Sequence, residues 1–271
     1  STMTKVIIID SNSEICARVT KHTGAEHRHM ANKVMEEALG QANLPFDEIT
    51  YVIATGYGRI NVPFADGQIT ELTCHARGVA RLFPSVRTAI DIGGQDAKGM
   101  KISNGKLIDF VMNDKCAAGT GRFLEVLASI LGLKLEELGN ISLKSTKKVM
   151  INSTCTVFAQ QEVTTYLSEG IALEDIMAGL HDAIALRVFK IVKRLKIEPV
   201  VVFTGGVAKN IGVVKALKEK LECEILVPDD PLLSGALGAA LLGQELTVKA
   251  ISQGETIQKK KRQLEGATFF G

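Results

Sequence analysis

The fold is decided by the stretch Thr88-Ala89-Ile90-Asp91-Ile92-Gly93-Gly94-Gln95-Asp96, an apolar run that ends in two glycines. The run predicts a buried strand, and the glycines predict a tight turn directly after it. A second stretch repeats this design, because Pro199-Val200-Val201-Val202-Phe203 leads into Thr204-Gly205-Gly206. Backbone N–H groups at such turns can bind phosphate, so both stretches are candidates for contact with a nucleotide.

A single turn of this kind would be better explained as a plain connection between a strand and a helix. Two turns of one design favour a nucleotide site, because the first is flanked by the carboxylates of Asp91 and Asp96. Asp91 is suited to hold Mg²⁺ through water, since Mg²⁺ keeps several of its waters and bridges phosphates. Neither stretch has the pattern of a Walker P-loop or of a dinucleotide fingerprint.

Strands and helices alternate along the chain in two successive sets that are divided near Pro84. This alternation predicts an α/β protein of two lobes with a cleft between them. We place the first lobe at residues 1–83, the second at 84–243 and a basic tail at 244–271. The tail contains the run Lys259-Lys260-Lys261-Arg262, which is better explained as solvated than as a nucleic-acid patch.

Composition argues against several classes of function. The chain has 271 residues, of which 46% are hydrophobic, and a net charge of +2. These values are ordinary for a globular protein and give no reason to expect a nucleic-acid or membrane partner. No apolar run is long enough to span a bilayer and no signal peptide is visible, so we expect a cytoplasmic protein.

The chain has five cysteines at wide spacings, which do not resemble a secreted disulfide framework. Cys116 and Cys155 each stand just before a predicted helix, where free N–H groups and the helix dipole stabilise a thiolate. Two thiolates per chain would become four in a two-fold dimer, the number that an iron–sulfur cluster usually takes. From spacing alone, two ordinary buried cysteines explain the pattern better, because no C-x-x-C occurs. Cys16, Cys74 and Cys223 lie in or beside apolar segments and are interpreted as structural.

Several segments together resemble the activator component of 2-hydroxyacyl-CoA dehydratases and the related ATPase subunits of benzoyl-CoA reductase. The run from Asn113 to Phe123 is the most specific, and the likeness extends from Ser1 to about Leu242. The other matching segments are residues 54–59, 71–76, 91–96, 153–159, 204–210 and 235–238.

The resemblance implies the two-lobed ATPase fold of actin, hexokinase and Hsp70, with ATP and Mg²⁺ in each cleft, and a homodimer. It implies one 4Fe-4S cluster per dimer, ligated by Cys116 and Cys155 of each subunit, which reverses the preference from spacing alone. ATP binding and hydrolysis would alter the angle between the helices that point at the cluster. A low-potential electron, supplied by reduced ferredoxin or flavodoxin, would then pass to a partner iron–sulfur enzyme. Such an oxygen-sensitive cluster implies an anaerobe.

Roles for individual residues follow from the resemblance together with the turns. Asp91 would hold Mg²⁺ through water, and Gln95 and Asp96 are candidates for orienting the attacking water because they follow the phosphate turn. Nucleotide contacts are expected at Gly93, Gly94, Gln95, Gly205, Gly206 and Lys209, and at Ser1, Thr2, Thr4 and Lys5. The last four match only the end of the family's first phosphate motif. The first strand of the fold is therefore apparently missing from this sequence, which leaves the phosphate hairpin incomplete; trimming of the chain is a milder explanation than a native protein without the strand.

Two other functions remain open at this point. A small-molecule kinase or phosphatase of the same fold would need a substrate base in the cleft and no cluster. A nucleotide-responsive regulatory subunit without turnover would fit the incomplete phosphate hairpin.

Overall fold

The computed structural model of this chain describes residues 2–255 and 264. Within that part, the structure has nine strands, which are β1 (Met3–Ile9), β2 (Ile15–His22), β3 (Ile53–Ala54), β4 (Gly67–Gln68), β5 (Thr88–Ile92), β6 (Ala97–Ser103), β7 (Lys106–Asn113), β8 (Val201–Thr204) and β9 (Ile225–Leu226). The same residues contain eight α-helices, which are α1 (His27–Ala42), α2 (Glu71–Leu82), α3 (Gly121–Leu131), α4 (Leu135–Ser142), α5 (Thr156–Ser168), α6 (Leu173–Val192), α7 (Ile211–Leu221) and α8 (Ser234–Ser252). Strands and helices thus alternate as the sequence pattern predicts.

The chain divides into two units. Unit 1 contains the described parts of Ser1–Pro84, Asn104–Lys106 and Leu233–Gly271, and unit 2 contains Ser85–Ser103 and Leu107–Leu232. Residues 233–243 therefore lie in unit 1, whereas the sequence pattern assigned them to the second lobe. The start of the predicted tail, through Ser252, belongs to α8, and the basic run at 259–262 lies outside the described residues. None of the described helices is long and apolar enough to cross a membrane.

Unit 1 has a two-stranded antiparallel sheet made by β1 and β2, in which Ile8 lies opposite Ala17. Helix α1 packs in the same apolar cluster as this sheet, and its Val34 and Ala38 are fully buried. These two residues are four positions apart and so share one face of the helix, as the periodicity of the sequence predicts.

Helices α2 and α8 of unit 1 approach closely through two glycines. A Cβ at Gly78 would overlap the carbonyl oxygen of Ser234, and a Cβ at Gly238 would overlap that of Cys74. This contact, which no local pattern reports, holds α8 in unit 1. Burial raises the pKa of the Cys74 thiol to about 11, so the thiol stays protonated at neutral pH and packs as a small apolar group.

Unit 2 is centred on a five-stranded sheet with the strand order β7-β6-β5-β8-β9. β5 pairs antiparallel with β6 and parallel with β8, and β8 pairs parallel with β9. Every residue of β5 and β8 is buried, which explains why both strands appear in the sequence as continuous apolar runs. Asn104 and Gly105, between β6 and β7, both have positive φ, so the predicted type I′ hairpin is confirmed.

Candidate functional site

The two Gly–Gly turns lie side by side at one edge of the sheet in unit 2. β5 and β8 are parallel neighbours with Asp91 opposite Thr204, so their carboxyl ends meet at the same edge. In open α/β sheets, ligands bind outside the carboxyl ends of the parallel strands. The register of these two strands therefore brings both predicted turns into one candidate nucleotide site.

The second turn packs directly against the end of β5. Gly205 has φ +89°, and a Cβ there would overlap the carbonyl oxygen of Ile92 and lie 2.7 Å from Oδ1 of Asp91. Its N–H donates to the carbonyl oxygen of Pro231 at 2.9 Å, and Thr204 Oγ1 donates to the same oxygen at 2.7 Å. Only glycine has both the backbone freedom and the small size that this position requires.

The first turn is fixed by the start of α3. The N–H of Gly121 donates to the carbonyl of Gly93 and the N–H of Arg122 to that of Gly94, both at 2.8 Å. A Cβ on Gly121 would lie only 3.0 Å from the oxygen of Gly93, so glycine allows this close approach. The first N–H groups of α3 are thus bonded directly to the carbonyls of the turn.

Three charged side chains are buried together beside the first turn. Nζ of Lys98 lies 2.7 Å from Oδ1 of Asp96 and 3.4 Å from Oδ2 of Asp91. Lys98 is 3% exposed and Asp91 4% exposed, so the lysine compensates two carboxylates in a poorly solvated place. When all three groups are ionised, one net negative charge remains for a cation to balance.

Lys98 is the functional candidate that the sequence analysis missed. It lies directly opposite Asp91 in the antiparallel pairing of β5 and β6. The sequence does contain a sign of this role. Lys98 follows Asp96 by two residues, and its neighbours Ala97, Gly99 and Met100 are small or apolar. Recognising it requires the register of β5 against β6, which the sequence alone does not give.

The carboxylates fit the expected magnesium site in kind and number. Mg²⁺ is commonly held by one or two carboxylates together with substrate phosphates and waters. Among the described residues there is no group of three or more His, Cys, Asp or Glu side chains that could hold a metal alone. Asp91, at the end of β5, therefore suits a cation that takes its other ligands from waters and from the phosphates of a nucleotide.

The two candidates for orienting water have different surroundings. The side chain of Asp96 is buried and paired with Lys98, whereas Gln95 is exposed. An exposed amide can contact a solvent-derived nucleophile, while a carboxylate bound to an ammonium is held in place. Of the two, only Gln95 is exposed to solvent, and a role in orienting the attacking water stays a prediction for both residues. Gly206 and Lys209, after the second turn, are also exposed.

The amino-terminal candidates lie in unit 1. Thr4, on β1, shares a hydrogen bond of 2.9 Å between its Oγ1 and Oγ1 of Thr23. The carbonyl of Thr2 accepts the N–H of Thr23 at 3.1 Å, and Lys5 follows on the same strand. Ser1 lies outside the described residues. A nucleotide contact by these residues therefore stays a prediction.

Cys116 and Cys155 come together although 39 positions separate them in the chain. Cys116 lies in the loop that leads to α3, and its Sγ donates to the carbonyl of Thr154 at 3.7 Å. Cys155, the next residue, is the N-cap of α5. Cys116 lies four positions before Thr120, the N-cap of α3, so only Cys155 stands directly at a helix start. Both thiols are partly exposed.

Side-chain amides fix the two cysteine loops. Nδ2 of Asn113 donates to the carbonyls of Cys116 and Ala118 at 2.9 and 3.1 Å. Oδ1 of Asn152 accepts the N–H groups of Thr154 and Cys155 at 2.8 and 3.0 Å. Both loops are therefore held by bonds to backbone groups, in addition to the weak hydrogen bond from the Cys116 thiol to Thr154.

The remaining cysteines differ from this pair. Cys16 is exposed on β2 of unit 1, and Cys74 is buried between helices. Burial raises the pKa of the Cys223 thiol, with the nearby carboxylate of Glu224 acting in the same direction. The raised pKa values of Cys74 and Cys223 disfavour a thiolate at these two positions.

Similarity to known proteins identifies the family of this chain. Residues 1–243 match the BadF/BadG/BcrA/BcrD ATPase family. The chain belongs to this family. It is 50% identical, over 242 residues, to a 2-hydroxyisocaproyl-CoA dehydratase activator of Clostridioides difficile, covering 89% of this chain and 91% of the relative. It is 34% identical to a benzoyl-CoA reductase component of Thauera aromatica, over 78% of each chain.

A solved structure agrees with the sequence matches. The activator of the 2-hydroxyisocaproyl-CoA dehydratase from Clostridium difficile, with bound ADPNP, superposes with a TM-score of 0.88 at 47% identity. The match covers 95% of this chain and 96% of that one. The BadF/BadG/BcrA/BcrD-type ATPase described here therefore has the α/β fold of the actin/hexokinase type, and the predicted fold class and resemblance are both confirmed.

In this ATPase the second turn continues into a capped helix. Asn210 is the N-cap of α7, and its Oδ1 accepts the N–H groups of Gly212 and Val213 at 3.0 and 3.2 Å. Its Nδ2 must then be the group that faces Nε2 of His181, at 3.2 Å. His181 is 1% exposed on α6, and burial lowers the pKa of its imidazole to about 4. The ring is therefore neutral at pH 7, with its proton on Nδ1.

We predict that His181 makes folding stability fall between pH 7 and pH 5. Its pKa rises from about 4 in the folded protein to the ordinary value of 6.5 on unfolding, so the unfolded chain takes up the proton first. Stability is fully present above pH 6.5 and is lost as the pH falls towards 4, by about 2 kcal/mol at pH 5. Urea unfolding at a series of pH values measures this loss.

His181→Gln is the matched control for this prediction, because it removes the titrating group and should flatten the dependence in that window. The same loss in both proteins would contradict the assignment.

Asp175 acts at lower pH, because the backbone N–H of Lys147 and then the hydroxyl of Ser145 lower the pKa of its carboxyl. Its contribution is lost only as the pH falls below the ordinary value of 3.8.

Proposed function

We propose that this protein is an ATP-hydrolysing activator that passes a low-potential electron to a 2-hydroxyacyl-CoA dehydratase. The observation that carries the proposal is that Cys116 and Cys155 come together in the same unit as both Gly–Gly turns. A thiol pair of this kind has no part in phosphoryl transfer to a small molecule. Its presence favours an activator over a kinase of the same fold.

The choice of partner class rests on relatives. The dehydratase activator shares 50% identity and most of its length with this chain, whereas the benzoyl-CoA reductase component shares 34%. A dehydratase is therefore the first partner to test, and a benzoyl-CoA reductase type enzyme the second. Reduced ferredoxin or flavodoxin is the proposed electron donor.

The cysteine pair fits half of an iron–sulfur site. One chain offers two partly exposed thiols on ordered loops, and a 4Fe-4S cluster takes four. A second copy of the chain would supply the other two, with the cluster on the dimer axis. Such a cluster would supply a one-electron donor of low potential. Apolar side chains beside Cys155 suit a dimer contact, because Met150, Val157 and Phe158 are 89%, 67% and 57% exposed.

The nucleotide residues have separable tasks in this proposal. The Gly93–Gly94 and Gly205–Gly206 turns would bind phosphates, and Asp91 would hold Mg²⁺ through water. Lys98 and Asp96 hold Asp91 in place, and Gln95 would orient the attacking water. Catalysis of this kind is mainly positioning and electrostatic stabilisation.

A short path joins the first Gly–Gly turn to the loop that carries Cys116. The carbonyls of Gly93 and Gly94 are bonded to the first residues of α3, and Cys116 lies in the loop that leads into that helix. A change in the turn on ATP hydrolysis would reach Cys116 through one helix start. This gives a physical route by which nucleotide state could alter the surroundings of the thiols.

An anaerobic activation assay tests the proposal. Reduced protein is mixed with an inactive 2-hydroxyacyl-CoA dehydratase and ATP with Mg²⁺, and dehydration of the 2-hydroxyacyl-CoA is followed. We expect activity with ATP and none with ADP or a non-hydrolysable analogue. ATP turnover without activation of either partner class would contradict the activator proposal and leave a regulatory ATPase.

A further inference from the structure

A cavity of about 120 Å³ lies in unit 2, and none of the four glycines of the two turns belongs to its wall. It is formed by the end of α4, the loop that follows, α6 and α7. Its wall includes Ser142, Ser145, Lys147, His181, Gly212 and Lys215. The volume is several times what one water molecule needs, so a small anion with some of its waters can enter.

The buried part of the wall presents an N–H group without an acceptor. Because Asn210 donates to Nε2 of His181, the proton of the neutral ring is on Nδ1. Among the described residues no hydrogen-bond partner faces that Nδ1. A Cβ on Gly212 would overlap both Nδ1 of His181 and Oγ of Ser142, so these two atoms pack tightly against the glycine, and all three residues belong to the cavity wall. A buried donor left in this state calls for an acceptor.

The charged residues of the wall are three lysines, Lys147, Lys148 and Lys215, and one carboxylate, Glu219. Lys147 and Lys215 are exposed, and in the described part of the chain neither ammonium group forms a salt bridge with a carboxylate. The charge of Asp175 acts on Lys147 only from a longer distance. Lys148 is different, because it is paired with Glu219 and with Asp182. Lys147 and Lys215 therefore give the wall two positive charges that no described carboxylate pairs with directly.

The loop that carries Lys147 is held in a fixed conformation. Oδ1 of Asp175 accepts the hydroxyl of Ser145 at 2.8 Å and the N–H groups of Thr146 and Lys147 at 3.0 Å each. Oγ of Ser142 donates to the carbonyl of Gly139 at 2.8 Å, which fixes this side chain at the end of α4. The wall is therefore ordered before any ligand binds, which lowers the entropic cost of binding.

We propose that this cavity is a binding site for a small phosphate-bearing anion, separate from the nucleotide site. The group that it fits has several acceptor oxygens and more than one negative charge, since the wall contains two lysines that form no salt bridge within the described residues and one buried N–H donor. Lysines bind phosphate as point charges, and a nucleoside would need a larger cavity than this one. The hydrogen bond from Asn210 to His181 joins the site to the helix that follows the second turn.

The first test uses the full chain with ADP and Mg²⁺ at saturation, so that the nucleotide site is occupied. Inorganic phosphate is added, and the imidazole nitrogens of the histidines are followed by NMR. Of the five histidines, His181 alone should shift, with a saturable dependence on phosphate. Glycerol 3-phosphate is the second probe: tighter binding than inorganic phosphate identifies an ester as the ligand, and equal binding identifies free phosphate.

Surface variants give the second test without risk to the core. Lys147→Gln and Lys215→Gln should each weaken phosphate binding about tenfold, the effect of losing one charge-assisted hydrogen bond. Lys144→Gln is the matched control, because Lys144 is an exposed lysine of the same loop that does not line the cavity. It should bind phosphate as the unchanged protein does.

Three results would overturn the proposal. The first is no saturable shift of His181 at about 10 mM phosphate, a concentration above which binding is too weak to be specific. The second is an equal loss of affinity in Lys144→Gln, which would indicate a general charge effect. The third is a phosphate response that ADP abolishes, which would place the anion in the nucleotide site.

Discussion

Asp91→Asn is expected to lower magnesium-dependent ATP hydrolysis at least about a hundredfold, the effect of removing one preorganised charged group from a phosphoryl-transfer site. The carboxylate of Asp91 lies at the end of β5, where Gly205 of the second turn packs against its Oδ1. Asparagine keeps the shape of the side chain but removes the charge that would hold Mg²⁺ through water. Steady-state phosphate release at saturating Mg²⁺ measures the effect.

The fold should survive this substitution, because Lys98 retains its 2.7 Å ion pair with Asp96. Asp109→Asn is the matched control, since Asp109 is an exposed carboxylate on β7 of the same unit. Iron content should be unchanged in both variants, which separates the nucleotide site from the cysteine pair. ATP turnover by Asp91→Asn at the unchanged rate would show that the magnesium site has been misplaced.

Cys116→Ala and Cys155→Ala are each expected to remove the iron–sulfur cluster completely. Each substitution deletes half of the ligands of a site shared by two subunits, because it acts on both copies at once. Iron and sulfide are measured per dimer after anaerobic purification, together with a visible spectrum. The unchanged protein should hold about four irons per dimer, the content of one cubane cluster.

Cys16→Ser is the control for these variants, because Cys16 is an exposed cysteine in unit 1 and should not affect iron content. ATP hydrolysis is measured in the same variants and should persist, since the cysteine variants leave Asp91 and both turns intact. This result separates the cluster proposal from the magnesium proposal. Full iron in either alanine variant would refute the shared cluster. Absence of iron from the unchanged protein after reconstitution would favour a regulatory ATPase or a kinase.

The sequence by itself determined the elements that local chemistry controls. A β-branched run followed by two glycines can form little other than a buried strand and a turn, as at Ile92 and Thr204. Asn104-Gly105 gave the hairpin, because few other residue pairs accept positive φ at both positions. The family and fold class could also be recognised, since the segment from Asn113 to Phe123 is specific.

Only the tertiary structure decided which of these elements meet. Lys98 faces Asp91 through strand register, and Cys116 reaches Thr154 across 38 positions of sequence. The return of α8 to unit 1 likewise depends on helix contacts at Gly78 and Gly238. A local pattern reports the conformation of neighbouring residues, whereas register and helix approach are set by packing between distant segments. The charges around Asp91 and the approach of the Cys116 loop to the residue before Cys155 therefore became visible only in the folded chain.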